Sequence, residues 1–295
     1  MGHELPRQDA PHAWRGNVLP HVGHSDCPDH RPTAPFRERI IASPTTHSAK
    51  IAHDLRALGV RPGGVLLVHS SLRSLGPVPG GAETVIQGLL AAVGEEGTLL
   101  LPALSYQHVN SQTPLFDAVE TPSNVGALPE YFRTRPGTQR SVHPTHSVCS
   151  VGPRAEVLLA DHWCDETPCG RFSPFRKLRE IGGQLLMLGC GLCPNTSMHA
   201  IEELIVPPYL FGPEVDFRLR LADHIEYEKT YRTHGFVGYK QRYERLAEYM
   251  PSRALRVGPC LRATGHLFDV PVMWETALRE YRRDPLAFAE REVAW

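Results

Sequence analysis

The run Thr196-Ser-Met-His199-Ala-Ile-Glu202 spaces a hydroxyl, an imidazole and a carboxylate three residues apart. On a helix that spacing lines all three up on one side. A carboxylate beside an imidazole orients it, as a general base is oriented by its helper, and such a pair suits deprotonation of an ammonium or a thiol. An ordinary helix with a surface His–Glu pair shares the spacing, so the motif draws its meaning from its surroundings. A second segment, His69-Ser-Ser-Leu-Arg-Ser-Leu-Gly-Pro-Val-Pro-Gly-Gly81, joins hydroxyls, an arginine and paired glycines just ahead of a helix. Backbone N–H groups and the positive helix end would suit a phosphate or pyrophosphate there. It matches neither a Walker A nor a Gly-x-Gly-x-x-Gly pattern, which argues against an NTPase or a dinucleotide oxidoreductase. In a third, Arg140-Ser-Val-His-Pro-Thr-His-Ser147, proline holds His143 in extended geometry, either for catalysis or to cap the loop.

These segments need rigid elements to hold them. Thr46 to Gly59 reads as a helix with a glycine stop, and Gly64 to His69 as a strand buried on both faces. Gly80 to Val93 is the next helix and Gly97 to Pro102 the next apolar strand, which makes a βαβ unit and a parallel sheet. The pattern recurs with a helix over Ser173 to Ile181, a strand over Gly183 to Gly189, and a helix over Asn195 to Ile205 capped by Asn195 or Thr196. Beyond Pro208 the signals mix until a helix from Met273 to Tyr281. The class expected is α/β, with a central, mostly parallel sheet flanked by helices. In such sheets ligands bind beyond the carboxyl ends of the strands, where all three segments fall.

Composition narrows the function classes. In 295 residues, 31 Lys plus Arg nearly balance 32 Asp plus Glu, so no electrostatic footprint for nucleic acid or an anionic membrane is present. No apolar run is long enough for a membrane span, and no secretory leader is expected. Seven unevenly spaced cysteines make a disulfide framework improbable and favour a reducing cytoplasm. Residues 1–36 hold six of the 27 prolines and five of the 16 histidines without helical or strand period, and read as a poorly ordered polar arm. Its histidines (His3, His12, His21, His24, His30) offer metal ligands at irregular spacing. Residues 37–295 read as a single α/β domain.

Taken together, the segments resemble the aminoglycoside 3-N-acetyltransferase family. The resemblance rests on Val68-His-Ser-Ser-Leu-Arg-Ser-Leu-Gly76 with Val78-Pro-Gly-Gly-Ala82, Gly97 to Pro102, Phe116 to Gly126, Phe132, and Arg140 to Ser147. It continues through Thr167 to Pro174, Gly182-Gly183, Leu188-Gly189, Asn195 to Glu203 and Arg282 to Phe288. It implies an acyl-CoA-dependent N-acyltransferase whose α/β fold is distinct from that of the GNAT acetyltransferases. It also implies that Ser70, Ser71, Leu72 and Arg73 hold CoA, with Ser147 near the pantetheine arm. His199 matches the base, Glu202 its orienting carboxylate and Thr196 a hydroxyl near the tetrahedral oxygen, while His143 is the rival base.

The reaction expected from the resemblance is direct transfer from acetyl-CoA, or another acyl-CoA, to a primary amine of an aminoglycoside or related amino sugar. A biosynthetic acyltransferase with another acyl donor or amine, and a non-catalytic CoA- or amine-binding module, are the alternatives. Cys149, close to Ser147, leaves a covalent route open. Phe116-Asp117-Ala118 departs from the family's Phe-Asp-Pro near the expected acceptor cleft, and Glu214, Asp216, Asp223, Glu226 and Glu228 are acidic positions that an ammonium could seek. Among His162, Cys164, Cys169, Cys190 and Cys193, only Cys190/Cys193 has the spacing of a zinc ligand pair, so no metal is expected. The expected partners are the amine and acyl-CoA, with neither nucleic acid nor membrane, and a homodimer stays open.

Overall fold

The computed structural model describes residues 45–292. The arm and its histidines lie outside the described residues. α1 (Thr46–Leu58) opens on Thr45, whose hydroxyl accepts from the Ser48 N–H, and closes on Gly59 at φ +111°, which suits glycine alone. β1 (Val65–Ser70), α2 (Gly81–Val93) and β2 (Thr98–Pro102) follow as the βαβ unit. Next come β3 (Leu115–Asp117), α3 (Ala127–Thr134), β4 (Gln139–Arg140), β5 (Val148–Val151) and α4 (Ala155–Leu159). α5 (Pro174–Glu180), β6 (Gln184–Leu188) and α6 (Ser197–Ile205) repeat the logic. The last part supplies β7 (Phe211–Arg220), β8 (Glu226–His234), β9 (Tyr239–Gln241), α7 (Leu246–Tyr249), β10 (Leu255–Cys260), β11 (Ala263–Asp269), α8 (Val270–Arg283) and β12 (Ala289–Arg291). α8 begins before Met273 because Asp269 caps it, accepting from the Val272 N–H, with Pro271 in its first turn.

The α/β class holds. Seven strands form the central sheet in the order β10-β11-β6-β1-β2-β5-β4. The sheet is mixed, and parallel only at its centre, where β1 pairs with β2 and with β6. β11 joins β6 antiparallel, β10 joins β11, β5 joins β2 and β4 joins β5, all antiparallel. A parallel pair needs a crossover segment, whereas the short Leu261–Arg262 link between β10 and β11 permits only a hairpin. Alternate residues of the central strands serve opposite faces. Leu66, Val68, Leu99 and Leu101 cluster with Ile51, Leu55, Val85 and Leu89 of α1 and α2. Val65, Leu67, Leu100, Leu185 and Met187 cluster with Phe175, Ile201, Trp274 and Tyr281 on the other side. Burial on both faces is what the continuous apolar runs encode.

A second sheet, β3-β7-β8, and the β9–β12 pair complete the strands among the described residues. No helix among the described residues is long and apolar enough to cross a membrane.

α1 and α2 approach closely at Gly88. A Cβ there would lie 2.6 Å from Ile51 Cγ2 and 3.1 Å from the Ser48 carbonyl oxygen. Alanine gains about 0.8–1.0 kcal/mol over glycine in a free helix, but overpacking a tight core costs about 1–3 kcal/mol. The second effect wins, so Gly88→Ala should lower stability by about 1–2 kcal/mol in urea unfolding. A variant more stable than the parent would show that the helices separate without cost.

Candidate active site

The parallel strands β1 and β6 end beside the start of α6, and a cavity of about 770 Å³ opens there. Its wall includes His69 and Ser70 from the end of β1, Pro102 from β2, Thr145 and His146 ahead of β5, and Thr196 and His199 from the start of α6. The second sheet adds Pro213, Val215, Phe217 and His234, and Phe236 and Tyr243 close the wall. Asn195 caps α6, its side-chain oxygen accepting from the Ser197 N–H at 3.1 Å. The Thr196 hydroxyl is thereby spared from capping and stands in the cavity wall.

His199 is the best-oriented group in this wall. Its Nδ1 lies 3.0 Å from Glu202 Oε2 and 2.9 Å from the Tyr243 hydroxyl. That hydroxyl donates its one proton to Glu202 Oε2 at 2.8 Å, so Nδ1 must be the donating nitrogen of the ring. Nε2 then keeps its lone pair and has no hydrogen-bond partner among the described residues. The other Glu202 oxygen accepts from Tyr209 at 2.8 Å and Tyr281 at 2.9 Å. Burial of Glu202 raises its pKa, yet the bonds from His199 and the tyrosines outweigh that and hold the carboxyl below its ordinary 4.5.

Three more histidines surround His199. His234 donates from Nε2 to Glu203 at 2.9 Å, and Glu203 also receives the Cys169 N–H at 2.8 Å. The His234 and His146 rings lie 5.0 and 6.1 Å from that of His199. Burial pushes the His69 pKa down to about 3, with His199 nearby adding to the effect. Burial and the neighbouring rings push His146 and His234 well below the ordinary imidazole value.

Most of the other residues singled out in the sequence stand apart from the cavity. His143 is buried, and its Nδ1 accepts from the backbone N–H groups of Thr145 and His146 at 3.2 and 3.0 Å. Ser147 is buried, donating to the Ala103 carbonyl and accepting from Arg140 Nε at 2.9 Å. Arg140 also donates to the Thr121 and Ala103 carbonyls, so this pair ties strands and loops together. Ser71, Leu72 and Arg73 lie in the turn after β1, with Arg73 exposed at its rim. The Cys149 thiol is buried in the core, and burial pushes its pKa up to about 12. Phe116 packs in the core of the second sheet, and Asp117 accepts from the N–H groups of Val119 and Glu120. Along β7, Pro213, Val215 and Phe217 face the cavity, so Glu214 and Asp216 point the other way. Cys190 and Cys193 line the cavity, but no third ligand joins them among the described residues.

The family model for aminoglycoside 3-N-acetyltransferases matches residues 67–281. The chain belongs to the aminoglycoside 3-N-acetyltransferase family. Aminoglycoside N(3)-acetyltransferase IV of Salmonella sp is 32% identical over 247 residues, covering 81% of this chain and 89% of that protein. A mutant of aminoglycoside acetyltransferase AAC(3)-IVa, solved in complex with gentamicin, is 30% identical, with a TM-score of 0.70 over 82% of this chain and 90% of that one. AAC-IIIb, solved as a binary complex with CoASH, is 27% identical, with a TM-score of 0.70 over 80% of this chain and 96% of that one.

In this aminoglycoside N(3)-acetyltransferase-like enzyme, sequence reasoning had not singled out His69, His146, His234, Tyr209, Tyr243 and Tyr281. His69 and His146 stand inside the segments already quoted, one at a strand end and one three residues after His143. His234, Tyr209 and Tyr243 come from the stretch beyond Pro208 where no helical period marks them, and Tyr281 stands at the end of the expected helix with nothing local to link it to Glu202.

Tyr281→Phe removes one donor from the buried Glu202 carboxylate and should cost about 1.5–3 kcal/mol near pH 7. Because the folded-state pKa of Glu202 is depressed, its stabilisation is present above the unfolded value and lost as pH falls through the folded one. The gap between parent and variant in urea unfolding should therefore narrow in acid. A gap that stays constant would mean that Tyr281 acts through packing alone.

Proposed function

We propose that the chain is an acetyl-CoA-dependent N-acetyltransferase that moves an acetyl group directly onto a primary amine in a ternary complex. The observation that carries this reading is the His199–Glu202–Tyr243 arrangement, which locks Nδ1 as donor and leaves Nε2 for the cavity. In the first step the acceptor's ammonium gives a proton to Nε2. The freed lone pair attacks the thioester carbonyl carbon, and the carbonyl electrons move onto oxygen. The Thr196 hydroxyl is placed to donate to that oxygen, where charge develops. Collapse restores the carbonyl and breaks the C–S bond. The leaving thiolate takes the proton from His199, and the amide nitrogen sheds its second proton to solvent.

Ser70, Ser71, Leu72 and Arg73 meet CoA in this reading, at the carboxyl end of β1. Arg73 makes no ion pair among the described residues and is available to a phosphate. Ser147 contributes from behind the wall, through Arg140. His143 is the weaker base because two backbone N–H groups occupy its Nδ1. The burial of Cys149 argues against an acyl-enzyme route. A non-catalytic binder would have no use for an oriented base.

The first acceptor class is an aminoglycoside or related amino sugar. One observation favours the biosynthetic alternative, with a less cationic amine or another acyl-CoA: the described residues lining the cavity include no Asp, Glu, Lys or Arg. Each ammonium of a polycationic acceptor seeks a carboxylate. A thiol-release assay with acetyl-CoA across kanamycin- and gentamicin-like acceptors and mono-amino sugars separates the two. Highest kcat/KM for the polycations upholds the first, and highest kcat/KM for the mono-amines upholds the second.

His199→Ala should lower kcat by about 10²–10⁴-fold with CoA binding retained. Glu202→Gln should also lose turnover, since an amide N–H facing Nδ1 moves the ring proton to Nε2. Unchanged turnover in His199→Ala would transfer the role to His143.

A further inference from the structure

We propose that His146, His199 and His234 form a binding site for one transition-metal cation of the Zn²⁺ type, whose occupancy shuts the enzyme down by taking up the His199 lone pair. The inhibitory half rests on His199 being the base; the site itself does not. One ring nitrogen of each histidine lies within 4.8 Å of the other two, and among the described residues no other group of three or more His, Cys, Asp or Glu side chains comes together in this way. All three rings line the same cavity.

Each ring commits its other nitrogen to the protein. His199 Nδ1 meets Glu202, His234 Nε2 meets Glu203, and His146 Nδ1 lies 2.8 Å from Thr145 Oγ1. Metal-ligating histidines characteristically give their second N–H to a carboxylate or another oxygen, which fixes the tautomer and aims the free lone pair. Here that leaves Nε2 of His146, Nε2 of His199 and Nδ1 of His234. The last is buried with no hydrogen-bond partner among the described residues, on a side chain only 4% exposed. An unsatisfied buried nitrogen points to a ligand that the rest of the protein does not supply.

Charge and geometry fit the same cation. Glu202 and Glu203 stand directly behind two of the rings, so a divalent ion and two carboxylates would sum to zero. Zn–N bonds of about 2.0–2.1 Å require the three nitrogens to close to about 3.3 Å, a movement that small side-chain rotations provide. Three imidazoles suit Zn²⁺, Co²⁺ or Cu²⁺ rather than the oxygen-seeking Mg²⁺ or Ca²⁺. The fourth position would face the cavity, where the amine has to approach.

The test is titration of the chelator-treated full-length protein with Zn²⁺ by calorimetry, and with Co²⁺ by its visible absorption. The expected result is one tight ion per chain, with the tetrahedral Co²⁺ spectrum. His146→Ala and His234→Ala should each weaken binding by at least about tenfold. His234→Gln, which keeps a donor for Glu203, should do the same with its unfolding midpoint unchanged. Zn²⁺ should inhibit acetyl transfer in competition with the amine, at concentrations that follow its Kd. Absence of tight binding, or binding that none of these variants weakens (as when the arm's histidines hold the ion), overturns the site. Binding at the three histidines without inhibition overturns the regulatory role. If the metal-free protein acetylates no amine while the ion still binds at these residues, the transfer reading falls and the site stands.

Discussion

A carboxylate with no solvent exposure is the constraint around which this molecule is arranged. Burying the Glu202 charge costs several kcal/mol unless its oxygens are fully served. They are served by His199 on the same helix, Tyr209 in the connection to β7, Tyr243 in the turn after β9, and Tyr281 on α8. Tyr243 and Tyr281 come from stretches 41 and 79 positions away, so the charge is fully satisfied only when those elements have docked. The same bonds decide which nitrogen of His199 carries the proton. The stability of the fold and the base chemistry proposed for His199 therefore both depend on Glu202, and the strength of its hydrogen bonds holds its pKa down in spite of burial.

The parallel centre of the sheet gives that group its place. β1 and β6 run side by side and end together, and the turns that leave them are knitted: the Ser71 N–H donates to the Leu188 carbonyl, and the Ser74 hydroxyl to the Gly189 carbonyl. Gly189 takes φ +72°, where an added Cβ would lie 2.6 Å from Ser74 Cβ. With both turns fixed, the start of α6 is fixed, and with it the direction of Thr196 and His199. Antiparallel strands then extend the sheet on either side without needing crossover helices.

Much of this was legible from patterning. The apolar runs of β1, β2 and β6 and the glycine stop of α1 are local signals, and the structure follows them. The spacing of Thr196, His199 and Glu202 was equally readable, because helical geometry carries one turn to the next. The β7–β8 hairpin was not recognised, although Val215, Phe217 and Leu219 alternate, because charged residues between them and Pro213 ahead mask the period. Glu214 and Asp216 read as ligands for an ammonium until the strand pairing shows which face they occupy. His234 carries no local signal, since Glu203 gives it meaning from 31 positions away. His143 was readable as a base or as a loop cap, and its Nδ1 ties down a backbone turn.

The chemistry of the cavity follows from what its wall lacks. His69, His146 and His234 are kept neutral by burial, and no carboxylate among the described residues faces the space beside them. An ammonium that enters gives up hydration and meets ring nitrogens instead of counter-charges. Desolvation without a partner charge lowers the pKa of an amine, so in the proposed transfer the surroundings that disfavour the cation would also ease its loss of a proton to His199. A wall of carboxylates would do the opposite, binding the acceptor tightly while holding it in its unreactive form. In the proposed mechanism, placing Glu202 behind the imidazole, outside direct reach of the acceptor, lets the protein orient His199 without stabilising the ammonium that it would deprotonate.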